Sequence, residues 1–415
     1  PINATTGAPG TTEAWSAASL LDAAGFSVPS RFVASYSGTA GIEWKTFTSL
    51  PAAQQLPFSK NSSGTVDANG QNRVDYIRGD RTKEASQTGG IFRNRGSRLG
   101  DIVNSNVLYV GAPAADYSDT DYITFKGTTA AGVGSRAPMV YVGANDGMLH
   151  GFAATTGVEK LAYIPQGIAQ GDLRKLTDPT YTHQYFVDGT PFTGDAKVNG
   201  STWKTVLVSG LGGGGKGYVA LDVSNPTNFT SANAGNLVIA DTTATTDPDI
   251  GNMYITPANQ IVRVNAPTTG TAPNQITHRW ALVLGNGYNS ANEAPVLVLQ
   301  YLDGAKEIKK ISPCIDRLTG TFDNGCSFKT ANGLSTPRLV DLNNDKIADV
   351  AYAGDLNGNV WKFDLSSQDS ANWKTSFSNA PFFKAKPGQA FTTTPLVVPN
   401  PDYGYQVQIS SGRNL

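Results

Sequence analysis

Short apolar runs ending in glycine set the tightest limit on what this chain of 415 residues can fold into. They read VLYVG (107–111), VYVG (140–143), VLVSG (206–210), ALVLG (281–285) and VAYAG (350–354), with a looser VQISSG at 407–412. Each is strand length, and the helical periodicity of an alternating βαβ protein is missing. After several of them comes a turn and a second strand: ANDG then MLHGFAA, GGGGKG then YVALDV, DLNG then NVWKFDL. Asp-Gly and Asn-Gly supply the positive φ that tight hairpin turns need, so each copy reads as a hairpin.

The runs starting at 140, 206, 281 and 350 lie 66, 75 and 69 residues apart. A compact propeller blade takes about 40–45 residues, so blades of this length carry insertions. Phe152, Tyr218 and Phe363 occupy equivalent second strands in this reading. The expected fold is all-β, a β-propeller of six or seven decorated blades, with a jelly roll or sandwich as the alternative. One helix is predicted over 12–25, TTEAWSAASLLDAAG and its flank, with Thr12 as N-cap and Gly25 as stop.

Composition narrows the function. Charged residues make up 16%, against about 25% in ordinary soluble domains, while glycine (45) is abundant. A net charge of −1 leaves no global field to recruit nucleic acid or an anionic membrane. No apolar stretch approaches the roughly 18 residues of a membrane span, and the chain opens at Pro1 without a signal peptide, as a fragment of a longer exported protein would. Cys314 and Cys326 bracket a polar loop, and no further Cys or His stands at zinc-ligand spacing. A local disulfide, and with it an oxidising compartment, is therefore the expectation over a metal pair.

Several motifs fail on inspection. Gly210–Lys216 nearly spells a phosphate loop, but Gly217 replaces the Ser or Thr and a strand follows instead of a helix, leaving a flexible hairpin tip. His150, His183 and His278 are isolated in sequence, and nothing pairs a nucleophile with a base. Ala154, Thr155, Thr156 and Gly157 resemble once the signature of quinone-dependent dehydrogenase propellers, yet the tryptophan expected shortly after Gly157 is missing. That enzyme reading stands as the alternative. Arg78-Gly79-Asp80 spells an integrin-binding tripeptide, whose ordinary reading is a turn in a charged surface segment.

DLNNDKIAD, from Asp341 to Asp349, differs in kind. Asp341, Asn343 and Asp345 fall at loop positions one, three and five, the Ile347 carbonyl at seven and Asp349 at nine, the alternate spacing with which a loop wraps calcium. Three carboxylates gathered without a cation repel one another. Lys346 stands where an EF-hand has glycine and Tyr352 where it has glutamate, and the flanks are strands, so the expectation is a calcium hairpin.

Together FRNRGSRLGDIVNS (92–105), RAPMVYVGANDGMLHGFAATTG (136–157), YFVDGTPFTGD (185–195), TVLVSGLGGGGKGYVALDVS (205–224), LGNGYNS (284–290) and STPRLVDLNNDKIADVAYAGDLNGNVWKFDL (335–365) make the chain resemble the C-terminal propeller domain of the PilC/PilY family. These are type IV pilus biogenesis and tip proteins of Gram-negative bacteria. The resemblance implies one modified seven-bladed propeller across 1–415, with calcium held by Asp341, Asn343, Asp345, Ile347 and Asp349. It implies no catalysis. The implied roles are pilus assembly and display by opposing retraction, twitching motility, and adhesion near the pilus tip. Implied partners are pilins and minor pilins, with host-cell surface receptors through adhesion. The implied location is extracytoplasmic: periplasm, outer-membrane surface or pilus tip. VQISSGRNL stops where family sequences continue into further strand, and the family's adhesive N-terminal region is not represented.

Overall fold

The computed structural model describes residues 13–269, 276–402 and 404–412. In the first sheet β1 (Val33–Tyr36), β2 (Gly41–Glu43), β3 (Leu108–Val110), β4 (Met139–Ala144), β5 (Met148–Ala153) and β6 (Glu159–Tyr163) lie in the order β2-β1-β6-β5-β4-β3. The second runs β10-β9-β8-β7, from β7 (Phe192–Val198), β8 (Thr202–Gly210), β9 (Tyr218–Asp222) and β10 (Val238–Asp241). Next come β11 (Ile261–Thr269), β12 (Ile276–Gly285), β13 (Leu297–Tyr301), β14 (Ile308–Ile311), β15 (Arg338–Val340) and β16 (Ile347–Ala348). The third sheet takes all of these except β15, in the order β14-β13-β12-β11-β16. The fourth joins β15 to β17 (Val350–Gly354), β18 (Asn359–Asp364), β19 (Lys374–Thr375) and β20 (Phe383–Lys384), and the last pairs β21 (Leu396–Pro399) with β22 (Tyr405–Gln408). Five sheets are thus formed by the described residues.

VYVG, VLVSG, ALVLG and VAYAG lie wholly on strands, VLYVG supplies β3 and VQISSG only the end of β22, and the pairs β4–β5, β8–β9 and β17–β18 are antiparallel hairpins. The strands read as unbroken apolar runs because the middle sheets are covered on both faces. Leu207, Val219 and Leu221 of the second sheet pack toward the first, while Val206, Val208 and Tyr218 pack toward the third. Leu282 and Leu284 of the third sheet face back to the second, and Ala281 and Val283 face forward to Trp361 and Phe363 of the fourth. Successive side chains on a strand point to opposite faces, so each sheet contributes to two cores.

Those same sheets explain the glycines. A Cβ on Gly143 would lie 2.4 Å from the Val187 carbonyl oxygen, on Gly210 2.2 Å from that of Met253, on Gly285 2.0 Å from that of Ser335, and on Gly354 2.4 Å from the Phe391 Cβ. In each case the chain entering the next sheet presses against the strand end, and only a residue without a side chain admits it. Gly285→Ala is therefore expected to lower stability by about 1–3 kcal/mol or more, read as a drop in the urea midpoint.

Two expectations need correction and one gains detail. The predicted helix starts late: Thr12 lies outside the described residues, and the helix is Ala17–Asp22 with Ser16 as N-cap. Trp15 is held out of it, its indole N–H donating to the Ala154 carbonyl at 2.9 Å. Phe152, Tyr218 and Phe363 do lie on second strands of equivalent hairpins, though Tyr218 holds a different register position. Three residues before the motif glycine, Val140 faces Phe152 and Ala351 faces Phe363, but Leu207 faces Leu221; Tyr218 stands opposite Gly210 itself. Finally, the glycine-rich tip after β8 is packed. Gly212 is buried, and a Cβ on Gly214 would meet the Phe186 carbonyl oxygen at 1.8 Å.

Candidate functional site

Residues 341–349 leave β15 at Val340 and re-enter the fourth sheet at Val350, but on the way they reach the neighbouring sheet. Ile347 and Ala348 pair in parallel with Arg263 and Val264 of β11. Ile347 is only 8% exposed, so burial and pairing account for the apolar residue that interrupts the acidic alternation. The loop is thus a stitch between two sheets, not a detached surface turn.

Its side chains organise the backbone. Asp341 accepts from the N–H groups of Asp345 (3.2 Å) and Lys346 (2.7 Å), Asn343 from Asp345 (3.0 Å), and Asp345 from Ile347 (2.8 Å). Asp349 closes the base, its carboxylate accepting from the Leu342 N–H at 2.7 Å and its own N–H donating to the Val340 carbonyl at 2.9 Å. Asn344 (φ 63°) and Lys346 (φ 70°) take the left-handed conformation, so Lys346 adopts the geometry for which calcium loops commonly use glycine.

Electrostatics mark Asp349. Burial raises its carboxyl above the ordinary 3.8, the amides of Leu342 and Asn343 pull it down, and the negative charges of Asp345 and Asp341 push it up again. The donor set is all hard oxygen, the chemistry calcium takes. Even so, among the described residues no group of three or more His, Cys, Asp or Glu side chains is gathered to hold a metal ion, these carboxylates included. The loop has the right donors in the right order, turned onto its own amides.

The other candidates resolve differently. Arg78 is 1% exposed at the end of the helix Gly70–Ile77 and donates to the carbonyls of Trp44 (2.9 Å), Val28 (2.9 Å) and Arg31 (2.8 Å). The tripeptide is therefore not a surface turn, because three carbonyls draw its guanidinium inside, out of a receptor's reach. Gly157 lies against the Trp15 ring, which a Cβ there would meet at 2.5 Å. Cys314 and Cys326 are disulfide bonded. His183 lies 2.8 Å from Asp101 at the surface, and burial lowers the pKa of His278.

His150, isolated in sequence, is fully buried between Glu159 (2.7 Å) and Asp146 (3.1 Å). Arg31 completes the cluster with a bidentate grip on Glu159 at 2.5 and 2.9 Å. Asp146 is close in sequence, whereas Glu159 and Arg31 reach His150 through the pairing of β5 with β6 and of β6 with β1.

Successive sheets, each buried against the next through a strand-ending glycine, define a β-propeller domain. The chain belongs to the PilY1 β-propeller domain family, whose model matches residues 99–414. It is 36% identical to the type IV pilus biogenesis factor PilY1 of Pseudomonas aeruginosa strain UCBPP-PA14, over 97% of this chain and 34% of that protein. A PilY1 homolog of Xylella fastidiosa is 37% identical over 78% of this chain and 24% of its own length. The crystal structure of the P. aeruginosa PilY1 C-terminal domain superposes with a TM-score of 0.55 at 33% identity, covering 74% of this chain and 59% of that one. The chain spans about a third or less of the length of these curated relatives. Among the described residues no helix is long and apolar enough to cross a membrane.

Proposed function

We propose that this chain is the calcium-binding propeller module of a type IV pilus biogenesis factor, non-enzymatic and extracytoplasmic, which promotes pilus assembly and display by opposing retraction and supports twitching motility and adhesion. Family membership carries the pilus role, since the relatives are named as biogenesis factors. Pilus components are its partners in this reading, with host-cell surface receptors reached through adhesion. Calcium is supported by one observation above the rest: a loop of alternating oxygen donors joins two sheets through Ile347 and Ala348. Asp341, Asn343, Asp345 and Asp349 would hold the ion with side-chain oxygens and Ile347 with its carbonyl. The bound cation removes the repulsion among the three carboxylates. Its occupancy then sets how firmly the third and fourth sheets are tied, and so the shape of the surface offered to pilus components.

The cleaner variant is Asp341→Ala, because Asp349 is buried while Asp341 is only half-buried, although each also holds loop amides. In the full-length protein, Asp341→Ala should weaken calcium binding in calorimetry at least tenfold and leave fewer pili on the cell surface. Normal pilus display by a variant that has lost calcium would make the ion structural only.

A further inference from the structure

Between the outer edges of the third and fourth sheets runs a groove of about 510 Å³. One rim is β14, the end strand of its sheet, and the other is β19, which among the described residues pairs with β18 alone. Both rims are strand edges, which present backbone donors and acceptors to whatever lies alongside. β14 has four residues, a rise of about 13 Å along the groove.

The lining is one-sided in charge. Lys309, Lys310, Arg317 and Lys374 face a single lining acid, Asp316. Lys310 is already neutralised by Asp247 (3.0 Å) and Asp249 (2.5 Å). Asp316 is engaged in its own turn, accepting from the N–H groups of Leu318 (3.0 Å) and Thr319 (2.7 Å). Arg317 donates to the Ala371 carbonyl and the Asn372 side chain, neither of them an acid. Burial lowers the Lys309 pKa, the carboxylate of Asp369 raises it and the guanidinium of Arg317 lowers it again. Phe377, 56% exposed, stands in the wall at the start of three consecutive left-handed residues, Phe377, Ser378 and Asn379. Such a run is strained, and the ring it displays, stacked on one side against Phe382, leaves apolar surface open to solvent.

We propose that this groove docks an extended acidic segment of a partner protein, added as a strand along the edge of β14 with its carboxylates on Lys309, Arg317 and Lys374. Lysine on a strand edge ordinarily serves to turn other strands away. That protection holds against neutral and basic strands and reverses for an acidic one, whose charges complement the rim. The backbone edges favour a peptide over a sulfated glycan or a nucleic acid, since neither of those can continue a sheet.

The test titrates a fluorescent hexapeptide alternating glutamate with valine or threonine into the full chain at moderate salt. Saturable binding is expected, weakened at least tenfold in Lys309→Glu/Lys374→Glu and regained when the peptide glutamates are exchanged for lysine. Arg317→Glu, which alters an exposed side chain, provides a second variant should the double one fold poorly. N-methylation of alternate peptide amides should abolish binding. Unchanged binding of the methylated peptide, or of the wild-type peptide to both variants, overturns the proposal. So does a groove that ignores the peptide and takes a heparin oligosaccharide or an oligonucleotide.

Discussion

Glu159→Gln is expected to cost about 3–5 kcal/mol of stability, the usual penalty for removing one partner from a buried ion cluster. The Glu159 carboxylate accepts from Arg31 Nε at 2.5 Å and Nη2 at 2.9 Å and meets His150 Nδ1 at 2.7 Å. Without it two buried cations are left with Asp146 alone. The loss also reaches the sheet. Arg31 precedes β1, which adds to β6 in parallel through Val33 and Ala34, and its Nη1 donates to the Arg78 carbonyl at 3.0 Å. Glu159 thus fastens the N-terminal strands to the first sheet.

The same cluster gives a pH signature. Burial alone would lower the His150 pKa, but Asp146 and Glu159 outweigh it and raise it from 6.5 to about 9. A raised histidine adds stability that is complete below about 6.5 and lost as pH rises through about 9. Burial raises the Glu159 pKa, but Arg31 and His150 outweigh it and lower the value from 4.5 to about 2, so its share is complete above 4.5 and lost only as pH falls toward 2. Urea midpoints of the wild-type protein should accordingly fall between pH 7 and 10. In Glu159→Gln the histidine loses an anion and that fall moves to lower pH. A variant with wild-type midpoints across this range would show that the cluster fastens nothing.

What the sequence discloses follows from how locally each feature is determined. A sheet covered on both faces needs unbroken apolar strands, and a close backbone approach needs glycine, so VLVSG and ALVLG announce the architecture by themselves. Calcium-type spacing is equally local: Asp341, Asn343, Asp345 and Asp349 lie within nine residues. Features settled by distant partners are hidden. Trp15 leaves its helix because of Ala154, the Arg78 tripeptide is drawn inward by carbonyls at 28, 31 and 44, and Arg31 meets His150 and Glu159 only after β1 joins β6 in parallel. Ile347 shows both kinds. Its place in the loop spacing is legible, whereas its burial against β11 depends on a strand that begins at Ile261.

Calcium and protons should compete for Asp349 in the 341–349 loop, a competition that tests the site more sharply than affinity alone. Without calcium, Asp349 has a carboxyl raised above 3.8, so the folded chain binds a proton more readily than the unfolded one, and stability contributed here declines as pH rises through that window. With saturating calcium the carboxylate must be ionised to serve as a ligand, protonation competes with the metal, and the gain from calcium grows as pH rises through the same window. The calcium-induced increment in thermal midpoint is therefore expected to shrink on acidification, starting above the ordinary aspartate range. Asp341→Ala should nearly remove the increment at every pH. An increment independent of pH in this window would mean that the cation binds without Asp349, at the exposed tip, where it could not govern the tie between β11 and Ile347.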